Sequence, residues 1–177
     1  IQRAAQKGLR HWPSALLCSE SLIFPQRGEG YEPQEAWNTQ IHQHVRAIQE
    51  QVRQRLDPFI EELAERHQPE SHFSAHYTAF HVLGEGSHPA LFYDELCRLL
   101  SGMDDILSTR NGPWINILPR ESGKGNTLRE YARLAGVDLK AILAIGDHLN
   151  DLNMLDGASA RHVGCPADAV PEIIAAV

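Results

Sequence analysis

Cysteine is scarce in this sequence, and positive charge is outnumbered. Cys18, Cys97 and Cys165 stand far apart with no C-x-x-C pair, which argues against a disulfide framework or a thiolate zinc site and fits a reducing, cytoplasmic compartment. Sixteen Lys and Arg face twenty-three Asp and Glu, a net charge of -7, so a general nucleic-acid-binding surface is not expected, although a local basic pocket stays open. No apolar run approaches the ~20 residues of a membrane span. The start, Ile1 to Gly8, is polar and has neither a signal-peptide pattern nor an initiator Met. What the chain does have is 42% hydrophobic residues over 177 positions, enough for one domain or for a domain carrying a smaller insert.

Periodicity divides the chain into three parts. Residues 1 to about 24 read as a helix tail, a strand at Ala15-Leu16-Leu17-Cys18 and a second strand at Leu22-Ile23-Phe24, closed by turn residues Pro25 to Gly30. From Pro33 to His67 the apolar residues Trp37, Ile41, Val45, Ile48, Val52, Leu56, Phe59 and Leu63 recur at helical spacing, with a break near Pro58. The stretch Ser71 to Phe80 alternates like a single strand whose polar face carries His72, Ser74, His76 and Thr78, a face that could contact a substrate. His81 is expected on the opposite face, and with no carboxylate or thiolate among these histidines zinc is not expected. A helix at Leu91 to Leu100 and two strands flanking Asn111-Gly112-Pro113 complete an α+β unit of roughly 26 to 117.

The last third changes character. A helix at Thr127 to Ala135, closed by Gly136, leads to the apolar run 141 to 145, then to Gly146-Asp147-His148-Leu149-Asn150-Asp151-Leu152-Asn153-Met154, a further helix and a short strand at His162-Val163-Gly164. Helix and buried strand in alternation predict an α/β core with a parallel sheet, in which ligands bind beyond the strands' carboxyl ends. Asp147 stands at such an end. Oxygen ligands gathered there suit Mg²⁺, while the plainer reading is that Asp147 and Asn150 cap the next helix. Upstream, Lys124 lies between Gly123 and Gly125 at the mouth of a helix, which is an anion site if it is more than a turn lysine.

Lys124-Gly125, an amphipathic helix, an apolar strand and Gly146-Asp147-x-x-Asn150-Asp151-x-x-Met154 together resemble the C-terminal half of the haloacid dehalogenase superfamily, in its Cof-type and sucrose-phosphatase-like branch. Ile115 to Pro119 resembles the strand that family places before its lysine, although an acidic residue is more usual there than Asn116. Leu16 to Phe24 resembles the segment preceding the family's inserted cap. The resemblance implies a Rossmann-like core, residues 1–25 and 118–177, with a C2-type α+β cap at 26–117. It also implies Mg²⁺-dependent hydrolysis of a small phosphomonoester, such as a sugar phosphate, through an aspartyl-phosphate. By that resemblance Asp147 ligates the metal, Asp151 supports it directly or through water, and Asn150 and Lys124 address the phosphoryl group. A carboxylate can attack a phosphate dianion only where cations offset the repulsion.

The sequence departs from the family in having no D-x-D, the pattern that supplies its nucleophile and general acid. The resemblance places those residues before Ile1, and the alternative is a noncatalytic relative that keeps the pocket for binding. An acidic helical adaptor built on residues 33 to 67 explains the long helix but not Lys124, Asp147 or Asp151. Which phosphate ester is bound, and the oligomeric state, are not legible.

Overall fold

The computed structural model of the chain describes residues 12–83 and 88–177. The helix tail expected before Gly8, and most of the loop expected from Gly84, lie outside these residues. Strands β1 (Ala15–Cys18), β2 (Leu22–Arg27) and β3 (Gly30–Tyr31) form a three-stranded antiparallel sheet. Helix α1 (Glu35–Leu56) follows, a 3-10 turn at Asp57–Phe59 takes up Pro58, and α2 (Ile60–His67) continues the run. Pro58 ends the regular helix where the sequence places the break, because its ring cannot continue the hydrogen-bond ladder.

Helix α1 binds two layers together through one apolar stripe. Ile41 and Val45 pack with Leu22 on the β1–β2 hairpin, and Ile48, Val52 and Leu56 join a second core with Phe80, Phe92, Leu96, Ile115 and Ile117. That second core lies under a four-stranded antiparallel sheet of order β4-β5-β7-β6, made of β4 (Pro69–Phe73), β5 (Thr78–Val82), β6 (Ile106–Asn111) and β7 (Trp114–Pro119). Helix α3 (Pro89–Leu99) contributes Phe92, Leu96 and Leu99 to it. The buried Asn38 fixes the docking of α1: its side chain accepts from Ile23 N at 2.9 Å and donates to Ile23 O at 3.0 Å. An amide that satisfies both backbone groups of a strand residue sits in a core at little cost.

The structure corrects the reading of 71 to 80 as one strand. The segment is a hairpin of β4 and β5 whose turn is held by Ser74: its N–H donates to Tyr77 O at 3.0 Å, and its hydroxyl accepts from His76 N and Tyr77 N, both at 3.1 Å. Alternating polarity runs through the turn and hides it, but a serine that bonds the backbone two and three residues on makes the reversal. Thr78, expected on a polar face, is fully buried at the start of β5.

Helix α4 (Lys124–Ala135) ends at Gly136, whose φ of +67° closes it in the left-handed conformation. Strand β8 (Leu143–Ile145) pairs in parallel with β9 (His162–Gly164), as the helix and strand alternation predicts. Between them the residues after Asp147 form a 3-10 run, Leu149–Met154, and not the α-helix expected there. A short α5 (Pro171–Ile174) packs Ile173 against Ala144, Leu155 and Ala160. Strand β8 is less buried than its composition suggests: Ala144 is covered, while Leu143 and Ile145 are 61% and 62% exposed. Side chains alternate along a strand, so these two share the face that this core does not cover. No helix of the described residues is long and apolar enough to cross a membrane.

Candidate active site

Lys124, Asp147, Asn150 and Asp151 converge where α4 begins and β8 ends. Close approach of these elements depends on two glycines. A Cβ on Gly125 would lie 1.8 Å from the Asn153 carbonyl oxygen, and one on Gly146 would lie 2.4 Å from the Asp151 Cβ. Neither distance is possible for a side chain, so α4 can touch the 149–154 turn only because Gly125 is bare, and that turn can fold back on the end of β8 only because Gly146 is. Asn153 adds a latch, its Oδ1 accepting from Gly125 N at 3.1 Å.

Asp151 is the hub. Its Oδ1 accepts from the Lys124 ammonium at 2.5 Å, and its Oδ2 accepts from Asp147 N at 2.9 Å and His148 N at 3.2 Å. Burial by itself would raise the pKa of this carboxyl. The hydrogen bonds from Lys124 and from the two backbone N–H groups, with the charge of Lys124, outweigh it and hold the group below the usual carboxylate range. The backbone-capping role considered for Asp147 is therefore filled by Asp151, which caps the turn from three and four residues downstream.

Asp147 is exposed, and its carboxylate has no hydrogen-bond or ion-pair partner among the described residues. Three residues on, Asn150 is buried; its Nδ2 donates to Glu20 Oε1 at 2.8 Å, while its Oδ1 is shut from solvent without a partner. An uncommitted carboxylate and an orphaned amide oxygen are hard donors of the kind Mg²⁺ takes, so the residues present fit that ion. Asp151 is committed on both oxygens, which suits support of such a site from behind.

Glu20 carries a signal that sequence reasoning missed. Cys18 pairs with Leu22 across the β1–β2 hairpin, so Ser19, Glu20 and Ser21 make its loop, and Ser21 N donates to Cys18 O at 3.0 Å. Ser19 and Glu20 hold φ of +51° and +59°. Tight hairpins that need two left-handed residues favour Asn and Gly, so Ser-Glu is a costly choice and points to a use for the side chain. That side chain reaches across three elements: Asn116 Nδ2 donates to Oε1 at 3.2 Å and Thr109 Oγ1 to Oε2 at 3.3 Å, in addition to Asn150. Thr127 in α4 fixes the backbone below by donating to Glu20 O at 2.9 Å. The signal in the sequence was a charged residue in a two-strand turn without glycine.

Glu20 borders a cavity of about 230 Å³ whose other walls include Tyr77, Ala79, Trp114 and Asn116, from the sheet face turned away from α1 and α3. The cavity thus offers an aromatic platform, a carboxylate and a carboxamide. Asn150 joins it to the Lys124–Asp151 cluster through its bond to Glu20. A group with hydroxyls could be held on such a surface while an anion lay toward Lys124 and the Asp147 turn.

The chain is similar to known proteins over most of its length. The family model for sucrose-6F-phosphate phosphohydrolase matches residues 13–174. The Bacillus subtilis (strain 168) protein YxeH is 38% identical over 71 residues, which is 38% of this chain and 24% of YxeH. The chain's match therefore spans about a quarter of that relative's length. Among solved structures, sucrose-phosphatase from Synechocystis sp. PCC6803, in complex with sucrose and phosphate, superposes with a TM-score of 0.72 at 23% identity, over 98% of this chain and 67% of that one. The haloacid dehalogenase-like hydrolase yhjK from Bacillus subtilis gives a TM-score of 0.56 at 12% identity, over 99% of this chain and 66% of that one. These two likenesses show the fold, a mixed α/β fold shared with haloacid dehalogenase-like proteins.

Proposed function

Since the chain belongs to the sucrose-6F-phosphate phosphohydrolase family, we propose that the full protein hydrolyses a small phosphomonoester, a sugar phosphate or a related metabolite, in a Mg²⁺-dependent reaction. The observation that carries this reading is the Lys124–Asp151 pair beside the uncommitted Asp147 carboxylate. In this proposal Asp147 ligates Mg²⁺, and Asp151 supports the metal site through the backbone of the turn and through Lys124. When bound, the ion would offset negative charge on the phosphoryl oxygens. Lys124 presents its ammonium to the same phosphoryl group from the start of α4, and Asp151 keeps that ammonium aimed. Asn150, whose Nδ2 donates to Glu20, addresses the phosphoryl group with Lys124 in this proposal. The carboxylate nucleophile of an aspartyl-phosphate route would come from residues preceding Ile1.

The leaving group belongs in the cavity between Glu20 and the open sheet face. Trp114 offers a ring for stacking, and Glu20 and Asn116 offer acceptors and a donor for hydroxyls. A carboxylate in that wall disfavours a second phosphate on the leaving group, which supports a singly phosphorylated, polyhydroxylated substrate. The division into core, 1–25 and 118–177, and cap, 26–117, is part of the proposal. It is supported by the packing of α4 on β1 and β2 and by the separate core beneath the four-stranded sheet.

The test is phosphate release by the full-length protein from a panel of sugar monophosphates, sucrose 6-phosphate among them, with and without chelator. Release that needs Mg²⁺ is expected. Binding of these esters with no metal-dependent release from any would replace the enzyme with a noncatalytic binding module.

A further inference from the structure

The β4–β5 hairpin creates a second group of metal-ligating side chains that the Lys124–Asp147 region does not use. Antiparallel pairing sets Glu70 directly opposite His81. His72, two residues beyond Glu70 on β4, points to the same side of the sheet. The histidine expected on the opposite face is thus beside His72, and the carboxylate that the histidine stretch lacks is supplied by Glu70. His72 Nε2 and His81 Nδ1 each lie 3.9 Å from Glu70 Oε2, and the three donor atoms fall within 4.8 Å of one another.

We propose that Glu70, His72 and His81 form a binding site for a divalent transition-metal ion of the zinc type, distinct from the Mg²⁺ site proposed at Asp147. Two imidazoles and one carboxylate are a zinc donor set that leaves a fourth position for water. Mg²⁺ prefers oxygen ligands and does not select such a set. Tetrahedral coordination with bonds of about 2.0–2.1 Å brings donor atoms to roughly 3.3 Å apart. From the observed spacing that is a closure of the order of an ångström, and Glu70 is exposed and can rotate to make it.

Two further features point to a ligand. The Nε2 of His72 is shut from solvent and has no hydrogen-bond partner. A ring nitrogen in that state leaves a polar group unmet unless something not supplied by the protein meets it, and in the Nδ1-protonated tautomer its lone pair is free for a metal. The imidazoles are also held in place. Trp114 of β7 pairs with His81 and stacks on its ring, centroids 3.9 Å apart and planes 8° from parallel, and its ring centroid lies 5.2 Å from that of His72. Both ligand rings are thereby oriented before a metal arrives, and little freedom is lost on binding. An ion here would clip edge strand β4 to β5 and fix Trp114, which borders the cavity beside Glu20.

The experiment is a Zn²⁺ titration of metal-stripped full-length protein in excess Mg²⁺, followed by calorimetry and by the visible spectrum of the Co²⁺ form. One equivalent of Zn²⁺ and the intense absorption of tetrahedral Co²⁺ are expected. Glu70→Gln and His72→Ala should each weaken Zn²⁺ by on the order of tenfold or more, and Asp147→Asn should leave it unchanged. Glu70 is an exposed side chain, so Glu70→Gln should keep the native thermal melt in the absence of metal and report on ligation alone. Absence of saturable Zn²⁺ uptake in Mg²⁺, or uptake unaffected by Glu70→Gln, would overturn the site. Uptake lost in Asp147→Asn would assign the ion to the Asp147 turn and overturn it equally.

Discussion

The Lys124 ammonium and the Asp151 carboxylate meet at 2.5 Å, with Lys124 one-third exposed and Asp151 almost wholly enclosed. The pair ties the first residue of α4 to the turn after β8, 27 positions later. Because Asp151 also accepts two backbone N–H groups, its charge is integral to the turn and its protonation must be linked to stability.

That linkage has a definite sign. Aspartate ordinarily titrates at 3.8, and Asp151 in the folded chain lies below that value. Between the two pKa values the unfolded chain binds more protons, so stability rises with pH there. The contribution of Asp151 is complete above the ordinary value and is lost as pH falls through the lowered one. Denaturant unfolding from neutral pH down to about pH 2 should show Asp151→Asn less stable than wild type at neutral pH, with the difference shrinking in acid. A difference that is constant across the range would contradict the ion pair.

Lys124→Ala removes the ammonium from the proposed phosphoryl site. Turnover should fall by about two orders of magnitude or more, the usual cost of one preorganised electrostatic contact. Combined with Asp151→Asn, the loss should be far from additive, since each residue acts through the other. Steady-state kinetics of the two single variants and the double variant checks this, and additive losses would separate their roles.

Glu20 is held by Asn116, Asn150 and Thr109. Glu20→Gln keeps its size and can keep an oxygen toward the Asn116 and Asn150 amides while its NH₂ turns to the Thr109 hydroxyl, so it removes the charge and leaves the shape. The predicted result is a KM raised several-fold for hydroxyl-rich substrates, with a stability loss of about 1 kcal/mol as the two amide hydrogen bonds lose their charge assistance. Kinetics and denaturant unfolding of one preparation read both. An unchanged KM would remove Glu20 from the substrate wall.

Gly125→Ala introduces a Cβ at 1.8 Å from the Asn153 carbonyl. Backbone, not a flexible side-chain end, must give way, so destabilisation of at least about 1–3 kcal/mol is predicted. Since the displaced segment carries Asp151, turnover should fall as well. Gly136→Ala is the control: it meets nothing within 4 Å and pays only for its left-handed φ, which should cost stability without affecting turnover.

The regular elements were legible wherever a long period set them. The stripe from Trp37 to Leu63, with its break at Pro58, predicts α1, the 3-10 turn and α2 almost residue by residue. The parallel pairing of β8 with β9 follows from the alternation of helix and strand, and Lys124 and Asp151 were legible as functional candidates because glycine and charge cluster at element ends. Their direct contact was not legible, because it depends on the close packing that Gly125 and Gly146 allow between segments distant in sequence. The β4–β5 hairpin was hidden for a different reason: its turn uses Ser74 and no glycine or proline, so alternating polarity passes through it unbroken. With that turn missed, Glu70 and His81 could not be seen as opposite neighbours. Glu20 escaped notice because its strained backbone is a property of the folded hairpin, and the sequence signals it only by a charged residue in a turn without glycine.

The most direct test of the proposed site is a Mg²⁺ titration of the full-length protein and of Asp147→Asn, beside the thermal melt of each. Asp147 has no partner among the described residues, so the substitution should leave the melt of the metal-free protein unchanged or slightly raised. It should weaken Mg²⁺ by on the order of tenfold or more, because a carboxylate ligand becomes a neutral amide. Unchanged Mg²⁺ affinity, with or without a change in the melt, would contradict the assignment of this strand end to a metal.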